Sequence, residues 1–444
     1  MKPRIGLRTT PPRSKSFLVL ADVCACLLTC SGNSFAAEAD LQAGLAKVDI
    51  TPVQPVKLAG YESRKEFSKG VHDPLGARAL AFEKGGKHLV LVSIDNLGFY
   101  NNTAEPLRQA ILDRCRLQPS ELLLCAIHDH SAPTLTLNVE KDGAPNVEYT
   151  KALAGRLANL VSQALEDLKP VQLSLGFGSS PVGVNRREVV PNTGGTSKIV
   201  LGRNPWAITD REVQVLRVAR PGQDKPVGVL FDYATHSTSL GPNNYLVSGD
   251  IHGLAEQFLE NYFGAGLVAP GFAGASGNID PWVRVLPDFK TNNGWVPEPV
   301  LMGTMLGEEV ARVLEGAQTS LTNTIVRSAS KTIDLPGKPS PEKQAASGST
   351  SPINITVARV GDLAFVGWGG EVFNEVGKAV KSSSPFRCTM IMTHCNGAAG
   401  YVPLRASYVE GGYEVQSSPF GPGADEALAD ETLKMLRELH DSNR

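Results

Sequence analysis

The hydrophobic positions of the chain fall into two patterns that take turns along it. Short apolar runs rich in β-branched residues recur at 89–94, 122–127, 171–175, 213–218, 227–233, 325–335, 353–360, 363–366 and 389–392, and these predict strands. Between several of them lie stretches whose apolar residues return with the helical period, at 104–115, 149–168, 251–263, 300–314, 372–381 and 425–440. Helices interleaved with strands, some strands following one another as hairpins, predict an α/β fold of mixed β-sheets with flanking helices. One tract, 336–352, is rich in Pro, Ser, Gly and Ala like a linker. Candidate chemistry lies on both sides of it, so it reads as a loop inside a single elaborated domain.

Composition narrows the picture. The chain has 444 residues, 43 Lys and Arg against 45 Asp and Glu, and 42% hydrophobic residues, which suits a folded globular protein. The net charge of -2 offers no cation excess to neutralise a phosphate backbone, so a nucleic-acid partner is not expected. No apolar stretch reaches the ~20 residues that a membrane-spanning helix needs, and a soluble mature protein is expected.

The N-terminus carries Lys2, Arg4, Arg8, Arg13 and Lys15 ahead of an apolar run at 17–28, broken only by Asp22. Ser34-Phe35-Ala36 then supplies small residues around a cleavage point. Residues 1–37 therefore read as a signal peptide cut near Ala36 or Ala37, which leaves a domain at 38–444 and sends the protein out of the cytoplasm. Leu27-Leu28-Thr29-Cys30 resembles a lipoprotein box only loosely, and lipid anchoring stays a minor alternative. Beyond that segment remain Cys115, Cys125, Cys388 and Cys395, too few for a disulfide framework. A bridge between Cys115 and Cys125, or one using Cys388 and Cys395, is conceivable; buried thiols are the favoured reading.

Several predicted strands end in polar residues. The run 122–127 continues into His128-Asp129-His130, where two imidazoles two positions apart on an extended chain share a face. The run 227–233 delivers His236, and the run 363–366 passes through Gly367, Gly369 and Gly370 to Glu371 at the start of a helix. Ligands in α/β sheets gather outside the carboxyl ends of the strands, so His128, His130, His236 and Glu371 form a natural group. Imidazoles with one carboxylate make a set that zinc uses catalytically, with a position left open for water. Taken one at a time, such histidines are more often hydrogen-bonded parts of the structure than ligands.

The residues also resemble those of the catalytic domain of the neutral/alkaline non-lysosomal ceramidases. The resemblance runs through Val48-Asp49-Ile50-Thr51-Pro52, Gly70-Val71-His72-Asp73-Pro74-Leu75, Ala77-Arg78-Ala79 and His128-Asp129-His130-Ser131-Ala132-Pro133. It continues at Asn185-Arg186, His236-Ser237-Thr238-Ser239, Gly277-Asn278-Ile279-Asp280-Pro281, Gly370-Glu371 and Gly400-Tyr401-Val402-Pro403. It implies one Zn2+ held by His128, His236, Glu371 and Tyr401, with His130, Arg186 and Tyr413 as further active-site residues. It implies hydrolysis of the amide that joins a fatty acid to a sphingoid base, on a small-molecule or lipid N-acyl substrate such as an N-acyl sphingoid or related lipid, with any membrane contact made peripherally through that substrate. His130 would relay protons, and Arg186 or Tyr413 would stabilise the oxyanion. Asp250, ahead of a helix, matches a family aspartate that steadies a ligand or else caps the helix.

Two departures set this chain apart. An active-site serine expected of the family at position 274 is Gly274 here, with Ser276 two residues on as a candidate substitute. The ceramidases also carry a C-terminal immunoglobulin-like domain, which is not expected here because the chain ends in the helix predicted at 425–440. Ceramide is therefore in doubt as the substrate, and a zinc esterase or lactonase, or a relic that binds metal without turnover, stays open. Oligomeric state is not legible.

Overall fold

The computed structural model describes residues 41–442 apart from 193–194, 265, 284–297, 317, 323 and 339–348. The segment read as a signal peptide lies outside these residues. Three mixed sheets carry the fold. In the first, the order is Leu122–Ala126, Lys87–Ile94, Gly76–Lys84, Gln42–Asp49 and Lys169–Pro170. The second runs Gly271–Ala273, Pro226–Tyr233, Glu212–Ala219, Gln172–Ser179 and Thr319–Ser320. The third runs Val326–Pro336, Thr350–Val360, Leu363–Trp368 and Cys388–Met392.

Side-chain alternation decides how the sheets stack. One face of each sheet turns to a shared centre: Leu80, Phe82, Leu123 and Cys125 from the first, Leu216 and Leu230 from the second, Phe365 and Met390 from the third. The opposite faces are covered by helices, as the period-2 and period-3.6 patterns require. Ala79, Val92 and Leu124 meet the helices Ala104–Cys115 and Ala144–Glu166 through Ile111, Leu157 and Val161. Val215 and Phe231 meet Asp250–Phe263 and Glu298–Glu315 through Leu259 and Leu306. Val357, Val366 and Trp368 meet Asn374–Ser383 and Ala424–Asp441 through Val380 and Leu436. Among the described residues no helix is long and apolar enough to cross a membrane.

Among the strands that the apolar pattern misses, Gln42–Asp49 and Gly76–Lys84 pair with each other inside the first sheet. Both are rich in alanine and carry charged residues, so they lack the β-branched signature of a strand; their neighbours on either side hold them extended. The Pro- and Ser-rich tract lies between the paired strands Val326–Pro336 and Thr350–Val360, with Pro336 opposite Thr350, so it joins a hairpin. The four cysteines are free thiols. Neither bridge conceived from spacing forms; instead Cys125 faces Cys395 across an isolated antiparallel bridge.

Candidate functional site

Four strands end beside one another, and each is followed within a few residues by a titratable group. Leu122–Ala126 leads to His128, Pro226–Tyr233 to His236, Leu363–Trp368 to Glu371, and Cys388–Met392 to His394. The extended geometry expected for His128 and His130 is not what brings them together. The strand stops at Ala126, and His128 adopts a φ of 58°, a left-handed conformation that costs a non-glycine residue on the order of 1–3 kcal/mol. The chain then pairs with the segment after His236: Asp129 bridges Ser237, and the amide of His130 donates to the Ser237 carbonyl at 3.1 Å. This local pairing sets the three imidazoles side by side, with His130 Nε2 3.3 Å from His128 Nε2.

Glu371 arrives by a second pairing. It lies in the two-residue strand Glu371–Val372, ahead of the helix Asn374–Ser383 rather than in it, and pairs in parallel with Tyr401–Val402. That register puts Tyr401 opposite Glu371. Glu371 Oε2 sits 3.4 Å from His128 Nε2 and 3.7 Å from His236 Nε2 and has no hydrogen-bond partner, while Oε1 accepts a 2.6 Å bond from the Tyr100 hydroxyl. Burial alone would raise this carboxyl, but the surrounding imidazoles of His128, His236 and His394 hold it well below the usual carboxylate range.

The donor set fits a zinc-type ion. His128 donates Nδ1–H to the Leu97 carbonyl at 2.9 Å, and His236 Nδ1 lies 2.9 and 3.0 Å from the Ser276 and Ile279 carbonyls. Each thereby presents an Nε2 without a proton, that of His128 beside His130 Nε2 and that of His236 beside Arg186 Nη1, and a carbonyl on Nδ1 is how metal-bound histidines are usually fixed. The ligand atoms of His128, His130 and His236 all lie within 4.8 Å of one another. An unpartnered carboxylate oxygen facing such lone pairs is costly to bury unless a cation joins them. Burial, then the neighbouring imidazoles, keeps His130 well below its ordinary value, and burial with Arg186 and His128 brings His236 to about 4.

Arg186 is no surface ion pair. Nearly fully buried, it donates to Glu414 Oε1 at 2.8 Å, Asp280 Oδ1 at 3.1 Å, His236 Nε2 at 3.0 Å and the Tyr401 hydroxyl at 3.1 Å. Tyr413 stands half-exposed, its ring edge-on to that of Tyr401 at 5.8 Å. Tyr401, Tyr413 and the Glu371 carboxylate open on a cleft of about 670 Å³ whose walls also include Tyr61, Arg64, Tyr100, His128 and His130.

Other expected residues take different places. The Ser276 hydroxyl is buried without a partner, and its carbonyl is the group that meets His236. Gly274 points elsewhere: a side chain there would meet Asp232 Oδ1 and Ala234 at 3.1 Å, so a missing hydroxyl at 274 does not bear on the cleft. Asp250 does not cap its helix, which Gly249 precedes; its carboxylate accepts from the Ser239 hydroxyl and, at 3.3 Å, from the Leu240 amide, holding the turn that follows His236. The sequence reading missed Tyr100, His394, Asp280 and Glu414. His394 was findable by the rule that found His236, since it closely follows a predicted strand; its ring stacks on His128 at 3.8 Å.

Comparison with known proteins identifies the fold and the family. The crystal structure of neutral ceramidase from Pseudomonas aeruginosa superposes with a TM-score of 0.74 over 91% of this chain and 75% of that one, at 18% identity. The fold is therefore that of the neutral ceramidase catalytic region. The family described as neutral/alkaline non-lysosomal ceramidase, N-terminal, matches residues 41–278, and the chain belongs to it. Neutral ceramidase 1 of Arabidopsis thaliana is 26% identical over 261 residues, which is 56% of this chain and 32% of that protein. The neutral ceramidase of Mycobacterium tuberculosis is 27% identical over 244 residues, 50% of this chain and 36% of that protein. The chain spans about a third of the length of these curated relatives.

Proposed function

We propose that the protein is an exported zinc-dependent amidohydrolase that cleaves the carboxamide of an N-acyl substrate, with residues 1–37 as its signal peptide and 38–444 as one hydrolase domain. The observation that carries this reading is the unpartnered Oε2 of Glu371 facing Nε2 of His128 and of His236, beside a cleft that His128 and Glu371 line. The relatives named as ceramidases supply the reaction class, hydrolysis of an amide between an acyl chain and an amine.

His128, His236, Glu371 and Tyr401 would hold the zinc. When bound, it would polarise the substrate carbonyl and make a water more acidic. His130, kept neutral by burial and by its neighbouring imidazoles, is able to take a proton from the attacking water and return it to the departing amine. Arg186 is clamped by Asp280 and Glu414, so its guanidinium is already oriented toward the side of the site where an oxyanion would form. Tyr413, half-exposed beside Tyr401, is placed to contact the substrate near the scissile bond. Ser276 contributes its carbonyl, which fixes the tautomer and tilt of His236.

Elemental analysis of purified protein, with a turnover panel of N-acyl amines, esters and lactones, tests the reading. Near-stoichiometric zinc that falls in His236→Ala, with amides as the preferred class, is the expected result. Metal unchanged in His236→Ala would remove that residue from the ligands. Faster turnover of esters or lactones would replace the amidase reading by the esterase or lactonase one.

A further inference from the structure

The His130 imidazole is oriented differently from those beside it. His128 and His236 each have Nδ1 on a backbone carbonyl. Among the described residues, Nδ1 of His130 is buried without a partner, and its Nε2 meets another ring nitrogen, that of His128. A ring with no oxygen to orient either nitrogen takes its direction from packing. On the side of the metal ligands it stands edge-on to His128, with ring centroids 4.8 Å apart.

On the other side it meets one short stretch of chain, residues 58–64. This stretch runs antiparallel to the segment that follows His130: Leu58 bridges Pro133, and the Ala59 amide donates to the Ala132 carbonyl at 2.8 Å. It turns at Gly60, whose φ of 92° lies in the region that favours glycine. A β-carbon there would collide with Nδ1 of His130 and lie 2.6 Å from its Cγ, so the Gly60 backbone is pressed against the ring. Tyr61 follows, its own ring 5.0 Å from the imidazole and tilted by 57°. Arg64, buried, lies over the Tyr61 ring at 4.8 Å, and its Nη2 donates to the carbonyls of both Ala59 and His130. Its Nη1 reaches the Asn244 carbonyl at 3.1 Å. One guanidinium thus ties the stretch to the peptide of His130 itself.

We propose that residues 58–64 form a strap that positions the His130 imidazole, with Gly60 and Arg64 as its positioning residues. Gly60 acts by leaving the ring its space, and Arg64 by fastening the strap to the His130 carbonyl. The inference rests on the reading of His130 as the proton relay and names what fixes its ring. The contacts that make the strap fall on His130, Ala132 and Pro133, so disturbing it moves the relay and leaves the ligand set of His128, His236, Glu371 and Tyr401 in place.

Gly60→Ala in the zinc-loaded full chain tests this, with N-octanoylethanolamine as the amide probe. Zinc content should be unchanged and kcat should fall by about 10²-fold, the scale for a ~1 Å misplacement of a reacting group, while KM changes much less. A crystal structure of the same variant reads the ring directly and needs no turnover; His130 should be displaced, with His128, His236 and Glu371 where they were. Arg64→Lys, which keeps the charge but lacks the planar fork of donors, serves as the second variant should Gly60→Ala fail to fold, and should show the same displacement with a smaller loss of kcat. His130 unmoved in the variants would overturn the proposal, whatever the activity. Displacement together with loss of zinc would keep the strap and make His130 a ligand. Displacement with zinc and turnover both intact would keep the strap and remove His130 from the chemistry.

Discussion

The hydroxyl of Tyr100 donates to Oε1 of Glu371 at 2.6 Å, and this bond turns Oε2 toward His128 and His236. Burial and the adjacent carboxylate push the Tyr100 phenol well above its ordinary value, so it stays a donor at any working pH. Tyr100→Phe removes the donor and keeps the ring. The expected result is a loss of metal affinity of about 10–100-fold, the usual scale for groups that orient a ligand, with the fold intact. Competition with a graded chelator measures it; unchanged affinity would show that Glu371 is held by its pairing with Tyr401 alone.

His130 is grouped with His128 and His236 by distance, yet its assigned work is proton transfer. His130→Ala should retain zinc and lose turnover by ~10²-fold or more, the scale of a general acid or base. Zinc content and kcat measured on the same preparation decide between roles. Loss of metal would make His130 a ligand.

Gly274 was expected to mark a missing active-site hydroxyl, and the structure turns it toward Asp232 and Ala234 instead. Gly274→Ser should leave turnover unchanged and cost stability of about 1–3 kcal/mol, the range for crowding a packed site. Thermal melts beside a standard assay check both halves. A gain in ceramide cleavage would return position 274 to the catalytic site.

Asp232, on the inner face of the second sheet, is raised to about 8 by burial, against a weaker opposing pull from Lys381. The folded protein therefore keeps a proton that the unfolded chain releases near pH ~4, so this group's stabilising effect is full below that pH and is lost as pH rises toward 8. Asp232→Asn, which mimics the protonated form, should flatten that part of the decline. Melting temperatures of both proteins at pH 5 and pH 8 test it. An identical drop in the two would mean that Asp232 is not the protonated group.

Much of the site was legible because strand ends are legible. An apolar run that stops at a histidine marks a side chain near the sheet's carboxyl edge, and His128, His130 and His236 could be grouped from that alone. Glu371 was approached by the same logic, although its element proved to be a short strand and not a helix. The strands richest in β-branched residues were predicted where they stand, since burial on both faces leaves a continuous apolar run. Gln42–Asp49 and Gly76–Lys84 were not, because alanine and alternating charge carry little local preference and only their neighbours make them strands.

The linear order of residues determined the helical and strand periods, the export-like N-terminus and the chemistry available at each strand end. Tertiary structure alone decided which of those groups meet. The register that sets Tyr401 opposite Glu371, the left-handed turn at His128, the stack of His394 on His128 and the burial of Arg186 between Asp280 and Glu414 all join segments far apart in the chain. Periodicity reports which face of an element is buried; it holds no term for what lies across that face. The lining of the cleft is likewise a property of the assembly, because Arg64 and Lys141 become neighbours of one cavity only after the chain has closed around His130.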